Sequence, residues 1–380
     1  MKAELTLRPV GLRGPAEIDE GREHLLRLAG GALRFSHCEA IWRSGPQARA
    51  AASRAILPLG DIAPWAEARR AGQGAVAETL LERLSRPRAP LAGLALDRPR
   101  IMGILNVTPD SFSDGGDRAD PAVAVRDGLD MLAAGADILD VGGESTRPGA
   151  RPIGLDEERA RVLPVVEALA KAGAIVSIDT RHAAIMREAV AAGAAIVNDV
   201  TALQGDPESL AAVAGCDVPV ILMHMQGEPQ TMQANPTYDS AALDIYDYLA
   251  GRLEACAAAG IDPARVVVDP GIGFGKTLDH NLQLFEQLAL FQGLGTAVLL
   301  GASRKSFIAK LSPRAAAPKQ RLAGSLAAAL LGLQRGVQIL RVHDVAETRQ
   351  AVDVWQAAAS MPSPADDLDS PADSAGGALL

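Results

Sequence analysis

Between residues 98 and 358 the chain repeats one unit eight times. A short run rich in Val and Ile is followed, in most cases, by an amphipathic stretch rich in Ala and Leu. The short runs fall at 101–105, 138–141, 175–178, 196–198, 220–223, 266–268, 297–300 and 337–340. Helical periodicity lies between them, for example at 123–134, 159–172 and 183–192. Such alternation demands parallel strands linked by crossover helices. Eight units predict an α/β fold closed as a (β/α)8 TIM barrel, which takes about 250 residues. An open doubly wound sheet is the alternative.

The residues that end the short runs favour the barrel. They are Asn106, Asp140, Asp179, Asn198 with Asp199, His224, Asp269, Ser303-Arg304-Lys305, and Arg341 with His343. Polar groups at the ends of buried strands are costly unless they are used. The C-terminal mouth of a barrel gathers all eight ends, whereas an open sheet focuses ligands at one crevice. Any single one of these residues is ordinary as a helix cap or turn former; eight in succession are not.

Composition narrows the function. A net charge of −9 argues against nucleic acid or an anionic membrane as the main partner, so any anion site must concentrate positive charge locally. Arg304, Lys305, Arg341 and His343, at consecutive strand ends, form the expected cluster. Cys38, Cys216 and Cys256 include no CxxC pair and read as reduced thiols. The N-terminus lacks an apolar signal core, and the uncharged run after Arg321 is too short to span a bilayer. The expectation is a soluble, cytoplasmic protein.

Several loops carry chemistry. NVTPDSFSDGG (106–116) follows a strand, and its Pro and paired Gly make it a loop that exposes Phe112 and can close over a substrate. DVGGESTRPG (140–149) has glycines that admit close backbone approach, then donors suited to phosphate oxygens. SIDTR (177–181) and NDVT (198–201) place a carboxylate and an amide at the mouth. DPGIGFGKT (269–277) ends like a P-loop, but that motif needs Gly where Pro270 stands, and Pro has no amide to donate. A nucleotide-binding P-loop is therefore rejected in favour of a flat ligand. No dense zinc-type constellation is present, which leaves a hard cation such as Mg²⁺, held partly by substrate phosphates.

These segments, with MHMQGEPQTMQ (223–233), GASRKS (301–306), RLAGS (321–325) and RVHD (341–344), resemble the dihydropteroate synthase family over about 260 of the 380 residues. The resemblance implies condensation of p-aminobenzoate with 6-hydroxymethyl-7,8-dihydropterin diphosphate, with Mg²⁺ and a homodimeric state. It implies that Asp179, Asn198, Asp269 and Lys305 hold the pterin and that Asn106 binds Mg²⁺. Thr146, Arg341 and His343 would hold the diphosphate. Phe112, Ser113, Asp114, Arg147, Pro148, Phe274 and Ser306 would shape the p-aminobenzoate site, with Phe112, Asp114, Lys305 and Arg341 closest to catalysis. The rivals are a folate-binding barrel of the corrinoid methyltransferase kind and a non-catalytic pterin sensor.

Residues 1–97 lack the barrel rhythm and are expected to form a small appended module. Leu33, Phe35 and Ile41 alternate like part of a strand, and 63–84 is a helical region interrupted near Gly72–Gly74, with Pro64 suited to a helix start. Residues 359–380, with Pro, Ser, Gly and Asp but no Lys or Arg, are expected to be a disordered acidic tail.

Overall fold

The computed structural model describes residues 4–14, 25–43, 53–107, 120–144, 153–228 and 231–360. The chain opens with β1 (Leu5–Val10), β2 (Leu26–Arg27), β3 (Arg34–Phe35), β4 (His37–Trp42) and β5 (Ser53–Pro58), then α1 (Leu59–Glu67) and α2 (Gln73–Ser85). β1, β4 and β5 make an antiparallel sheet with β4 central, and β2 and β3 form a separate pair. Leu5, Leu7, Phe35, Ile62, Leu80 and Leu84 form the core of this layer. Phe35 and Ile41, expected on one strand, lie on β3 and β4. Pro64 does not start a helix but sits inside α1. The bond it forfeits would go to the carbonyl of Gly60, an exposed residue whose carbonyl water can satisfy. The break between α1 and α2 is real: Gly72 adopts φ +84°, and the Glu67 carboxylate accepts from the Gly72 and Gly74 amides at 3.0 and 2.9 Å.

The eight barrel strands are β6 (Arg100–Asn106), β7 (Ile138–Gly142), β8 (Val176–Asp179), β9 (Ile196–Asp199), β10 (Val220–Met223), β11 (Val266–Asp269), β12 (Ala297–Leu300) and β13 (Ile339–Val342). Between and after them run α3 (Pro121–Ala133), α4 (Leu155–Lys171), α5 (Ala183–Ala191), α6 (Ser209–Ala214), α7 (Ala241–Ala258), α8 (Leu278–Gln287), α9 (Ser306–Leu311), α10 (Leu322–Gln334) and α11 (Val345–Ser360). The strands are parallel and close in chain order, β13 pairing with β6. Most strand limits fall within one residue of expectation, but β13 and the start of the tail differ by two. The last strand begins at Ile339 rather than 337, because Gly336 (φ +84°) closes α10 and the Val337 amide turns back to the Gly332 carbonyl. Arg341 therefore lies within β13, paired with Met102, rather than beyond its end. The helix α11 runs through Ala359 and Ser360, so it takes the first two residues assigned to the tail; 361–380 lie outside the described residues.

The barrel explains where its chemistry goes. Leu91 and Leu96 plug its N-terminal end against Met102, Ile138, Ile196, Ile221, Val267, Leu299 and Ile339, one apolar layer drawn from seven strands. Side chains on a strand return to the same face every second residue. One step toward the mouth, Ile138 gives way to Asp140, Ile196 to Asn198, Val267 to Asp269, Leu299 to Gly301 and Ile339 to Arg341. An apolar floor thus carries a polar layer, with the small Gly301 leaving room in it.

The N-terminal layer packs on the barrel's flank. Arg43 reaches Asp247 on α7 at 2.6 and 2.8 Å, Arg8 reaches Glu286 on α8 at 2.6 Å, and Arg88 donates to the Gln292 carbonyl at 3.0 Å. Among the described residues no helix is long and apolar enough to cross a membrane.

Candidate active site

The polar layer is a single connected network. Arg341 donates through Nε to Asp140 Oδ2 at 2.5 Å and through a terminal nitrogen to Asp179 Oδ2 at 2.6 Å. Asn198 donates its amide N–H to the same Asp140 oxygen at 3.1 Å. Asp140 is fully buried, and its Oδ1 has no hydrogen-bond partner among the described residues. Across the barrel, Asp269 Oδ1 accepts from the Gly271 amide at 2.7 Å, and Lys305 donates to the Ile272 carbonyl. The Lys305 ammonium also lies 4.5 Å from the centre of the Phe274 ring.

The DPGIGFGKT loop is folded so tightly that it needs its glycines. Gly271 has φ +69°, and a Cβ there would fall 2.0 Å from the His224 carbonyl oxygen; at Gly275 (φ +60°) it would fall 2.4 Å from that of Gln226. Lys276 is buried, with its nitrogen 3.0 Å from His224 Nδ1 and 2.9 Å from the Phe274 carbonyl. Thr277 caps α8 by accepting from the His280 amide. The Lys and Thr that mimic a P-loop are therefore spent on packing, as the Pro270 argument required.

Burial sets the electrostatics. The Asp179 carboxyl is pushed up to about 7, chiefly by loss of water, with Arg341 opposing the shift and Asp140 adding to it. Asp269 is raised by burial too, against the pull of Lys305 and the Gly271 amide. Lys305 is drawn down to about 8 by burial, with Asp269 resisting. Burial works against the Arg341 cation as well, but Asp140 and Asp179 outweigh it and hold it above the usual guanidinium value. Both carboxyls thus resist ionisation, and a ligand that donates N–H groups to them would favour their charged forms.

The predicted residues sort into three groups. Asp179, Asn198, Asp269, Lys305 and Arg341 converge in or beside the polar layer. Asn106 ends β6, half-buried, opposite Gly142. Phe274 is half-buried against Lys305, Ser306 is exposed at the first turn of α9, and His343 Nδ1 lies 3.0 Å from Ser303 Oγ. Phe112, Ser113, Asp114, Thr146, Arg147 and Pro148 lie outside the described residues. Other strand-end polar groups have structural partners. The Asp199 carboxylate accepts from the Thr201 and Leu203 amides at 2.7 and 2.9 Å, and His224 holds Lys276. Arg304 requires a correction: expected as part of the cationic cluster, it is held by both oxygens of Asp344, so its charge is already matched.

Sequence reasoning left Asp140 and Asp344 out of the site. Asp140 was visible as a strand-end acid, and its alternation with Ile138 marks it as inward-facing. Asp344 was visible only as the last residue of the RVHD segment, directly after His343, with no role attached to it.

The chain matches the family model described as "Pterin binding enzyme" over residues 102–343. It is 46% identical over 268 residues to the dihydropteroate synthase of Escherichia coli K12, covering 70% of this chain and 94% of that protein. Among solved structures, the dihydropteroate synthase of Xanthomonas albilineans with 4-aminobenzoic acid shares 50% identity at a TM-score of 0.68, covering 73% of this chain and 99% of that one. The Yersinia pestis enzyme in a sulfonamide drug complex shares 46% identity at a TM-score of 0.67, covering 70% and 97%. With the polar layer seated on the strands that the family model spans, the chain belongs to the dihydropteroate synthase family.

Proposed function

We propose that this transferase joins p-aminobenzoate to 6-hydroxymethyl-7,8-dihydropterin diphosphate, releasing diphosphate and 7,8-dihydropteroate. The observation that carries the reading is the convergence of Asp140, Asp179, Asn198, Asp269, Lys305 and Arg341 at one mouth. A pterin's aminopyrimidinone edge presents adjacent N–H donors, which a carboxylate accepts in pairs. Asp179 and Asp269 take those donors, the Asn198 amide meets a mixed edge, and Lys305 donates to a ring oxygen or nitrogen. Phe274 and Ser306, with Phe112, Ser113, Asp114, Arg147 and Pro148, shape the p-aminobenzoate side.

Chemistry begins with cleavage of the C–O bond, the electron pair leaving with diphosphate. The dihydropterin ring delocalises the cation left behind. The arylamine nitrogen, a weak nucleophile, captures it to form the C–N bond, and its surplus proton goes to the departing diphosphate or to water. No covalent enzyme intermediate is needed. Arg341, with His343 and Thr146, stabilises the charge that develops on the leaving group. In this structure Arg341 is held by Asp140 and Asp179. A diphosphate that draws it away also frees the Asp179 oxygen for the pterin, so the two halves of the substrate assist each other.

Asn106 offers one uncharged oxygen at the end of β6, a donor suited to Mg²⁺, which takes most of its ligands from phosphate and water. Bound there, Mg²⁺ would neutralise charge on the diphosphate. Resemblance to the family also supports a homodimer and a cytoplasmic location, and residues 1–97 are read as an appended packing module.

The test follows diphosphate release from the pterin diphosphate and p-aminobenzoate. Saturable, Mg²⁺-dependent turnover supports the assignment. Pterin binding without turnover of p-aminobenzoate would favour a sensor or a methyltransferase-type barrel, and full activity in excess EDTA would remove the metal.

A further inference from the structure

Arg304 combines two features that neither a surface arginine nor a phosphate ligand requires. It has φ +57°, a backbone conformation that an L residue keeps only where its surroundings over-determine it. Those surroundings are specific. Its amide donates to Ser325 Oγ at 2.9 Å, and its guanidinium grips Asp344 with both a side nitrogen, at 2.9 Å from Oδ2, and a terminal nitrogen. A planar fork on a carboxylate fixes direction as well as distance.

The residues on either side give this geometry its consequence. Lys305, which follows Arg304, turns into the barrel beside Asp269, and Ser306 starts α9. Asp344 follows His343, whose backbone amide donates to Ser303 Oγ at 3.2 Å. The loops after β12 and β13 are therefore joined at two successive pairs, Ser303 with His343 and Arg304 with Asp344. The loops so joined carry one group assigned to each part of the substrate pair: Lys305 for pterin, Ser306 for p-aminobenzoate and His343 for diphosphate.

We propose that Arg304 and Asp344 are positioning residues: their ion pair, closed over a left-handed turn, aims Lys305, Ser306 and His343 while lending no charge to the substrate. The inference rests on the functional reading above for what those three groups hold. It adds that a cation at the mouth is structural, and that an acid with no assigned role is needed for activity.

The test compares Arg304→Lys, Asp344→Asn and the double variant with wild type. Readouts are steady-state kinetics for p-aminobenzoate, calorimetric titration with inorganic diphosphate, and the thermal midpoint. Both single variants should raise KM for p-aminobenzoate at least about tenfold, well beyond any fall in kcat, and both should shift diphosphate affinity in the same direction. The double variant should be no worse than the poorer single, since both changes break one pair. If Arg304 instead binds diphosphate directly, Asp344→Asn frees its charge and tightens diphosphate binding while Arg304→Lys weakens it. Opposite signs, or additive losses in the double variant, overturn the proposal. So does a drop in thermal midpoint with KM unchanged. An inactive wild type would count against the functional reading, and the signs of the diphosphate titrations would still decide the role of Arg304.

Discussion

The affinity for a pterin should depend on pH, because the carboxyl proposed to receive it is shifted toward neutrality. Asp179 ordinarily ionises at 3.8 and is pushed up to about 7 by burial. If the ionised form accepts the pterin N–H donors, affinity follows the ionised fraction. That fraction is roughly 0.9 at pH 8 and roughly 0.1 at pH 6, a change of about tenfold, or about 1.4 kcal/mol. The sign is fixed by linkage: the ligand favours the carboxylate, so binding expels a proton below pH 7, and acid weakens it. Lys305, drawn down to about 8, loses its charge above that value, so affinity should ease again on the alkaline side, giving a bell. The neutral amine can still donate, which makes this limb shallower. The assay is calorimetry with 6-hydroxymethyl-7,8-dihydropterin lacking the diphosphate, so that no phosphate titrates in the same window. Asp179→Asn should bind more weakly throughout and lose the acid limb. Equal wild-type affinity at pH 6 and pH 8, or tighter binding in acid, would refute the reasoning.

Other consequences can be checked directly. Gly271→Ala should displace the loop that orients Asp269, since its Cβ would fall 2.0 Å from the His224 carbonyl oxygen at a φ of +69°; pterin titration should show a loss of at least about tenfold, consistent with a buried polar group left unpaired at about 1–3 kcal/mol. Arg43→Met leaves Asp247, 11% exposed in its side chain, without its buried partner, and should cost about 3 kcal/mol in denaturant unfolding with KM for both substrates unchanged. A shifted KM would show that the N-terminal layer communicates with the mouth. Sulfonamides should compete with p-aminobenzoate, and inhibition that ignores p-aminobenzoate concentration would contradict the assigned pocket.

The barrel was legible in the sequence because buried parallel strands and amphipathic crossover helices leave different periodicities, and eight repeats of both leave few alternatives. Asp179, Asn198 and Asp269 were legible for a related reason: a charged or amide group at the end of an apolar run is conspicuous where burial penalises it. The site roles assigned to Arg341 and Lys305 came with the motifs around them. Strand limits were harder. The two-residue shift of β13 came from Gly336, whose left-handed turn, with the Val337 amide bonded back to the Gly332 carbonyl, keeps residue 337 out of the strand. Pro64 misled for a similar reason, since a proline tolerated at a helix start is also tolerated one turn on where water can take the orphaned carbonyl.

What the sequence alone determined was the barrel and which strands would carry the polar layer, since local pattern dictates strand and helix and strand periodicity dictates which residues face inward; the kind of chemistry came with the resemblance of its loop motifs to a known family. What only the tertiary structure decided was the pairing of charges. Arg304 and Arg341 look alike in the chain, each close to the end of a strand. In the fold, Arg304 is closed against Asp344, forty positions away, while Arg341 stands between Asp140 and Asp179 in the buried layer. Both arginines are paired at a distance of about 3 Å or less, and which carboxylates do the pairing decides whether the cation stands in the buried layer or ties two loops together. That distance is set by the closure of the barrel, which brings together residues whose separation along the chain carries no information about their contact.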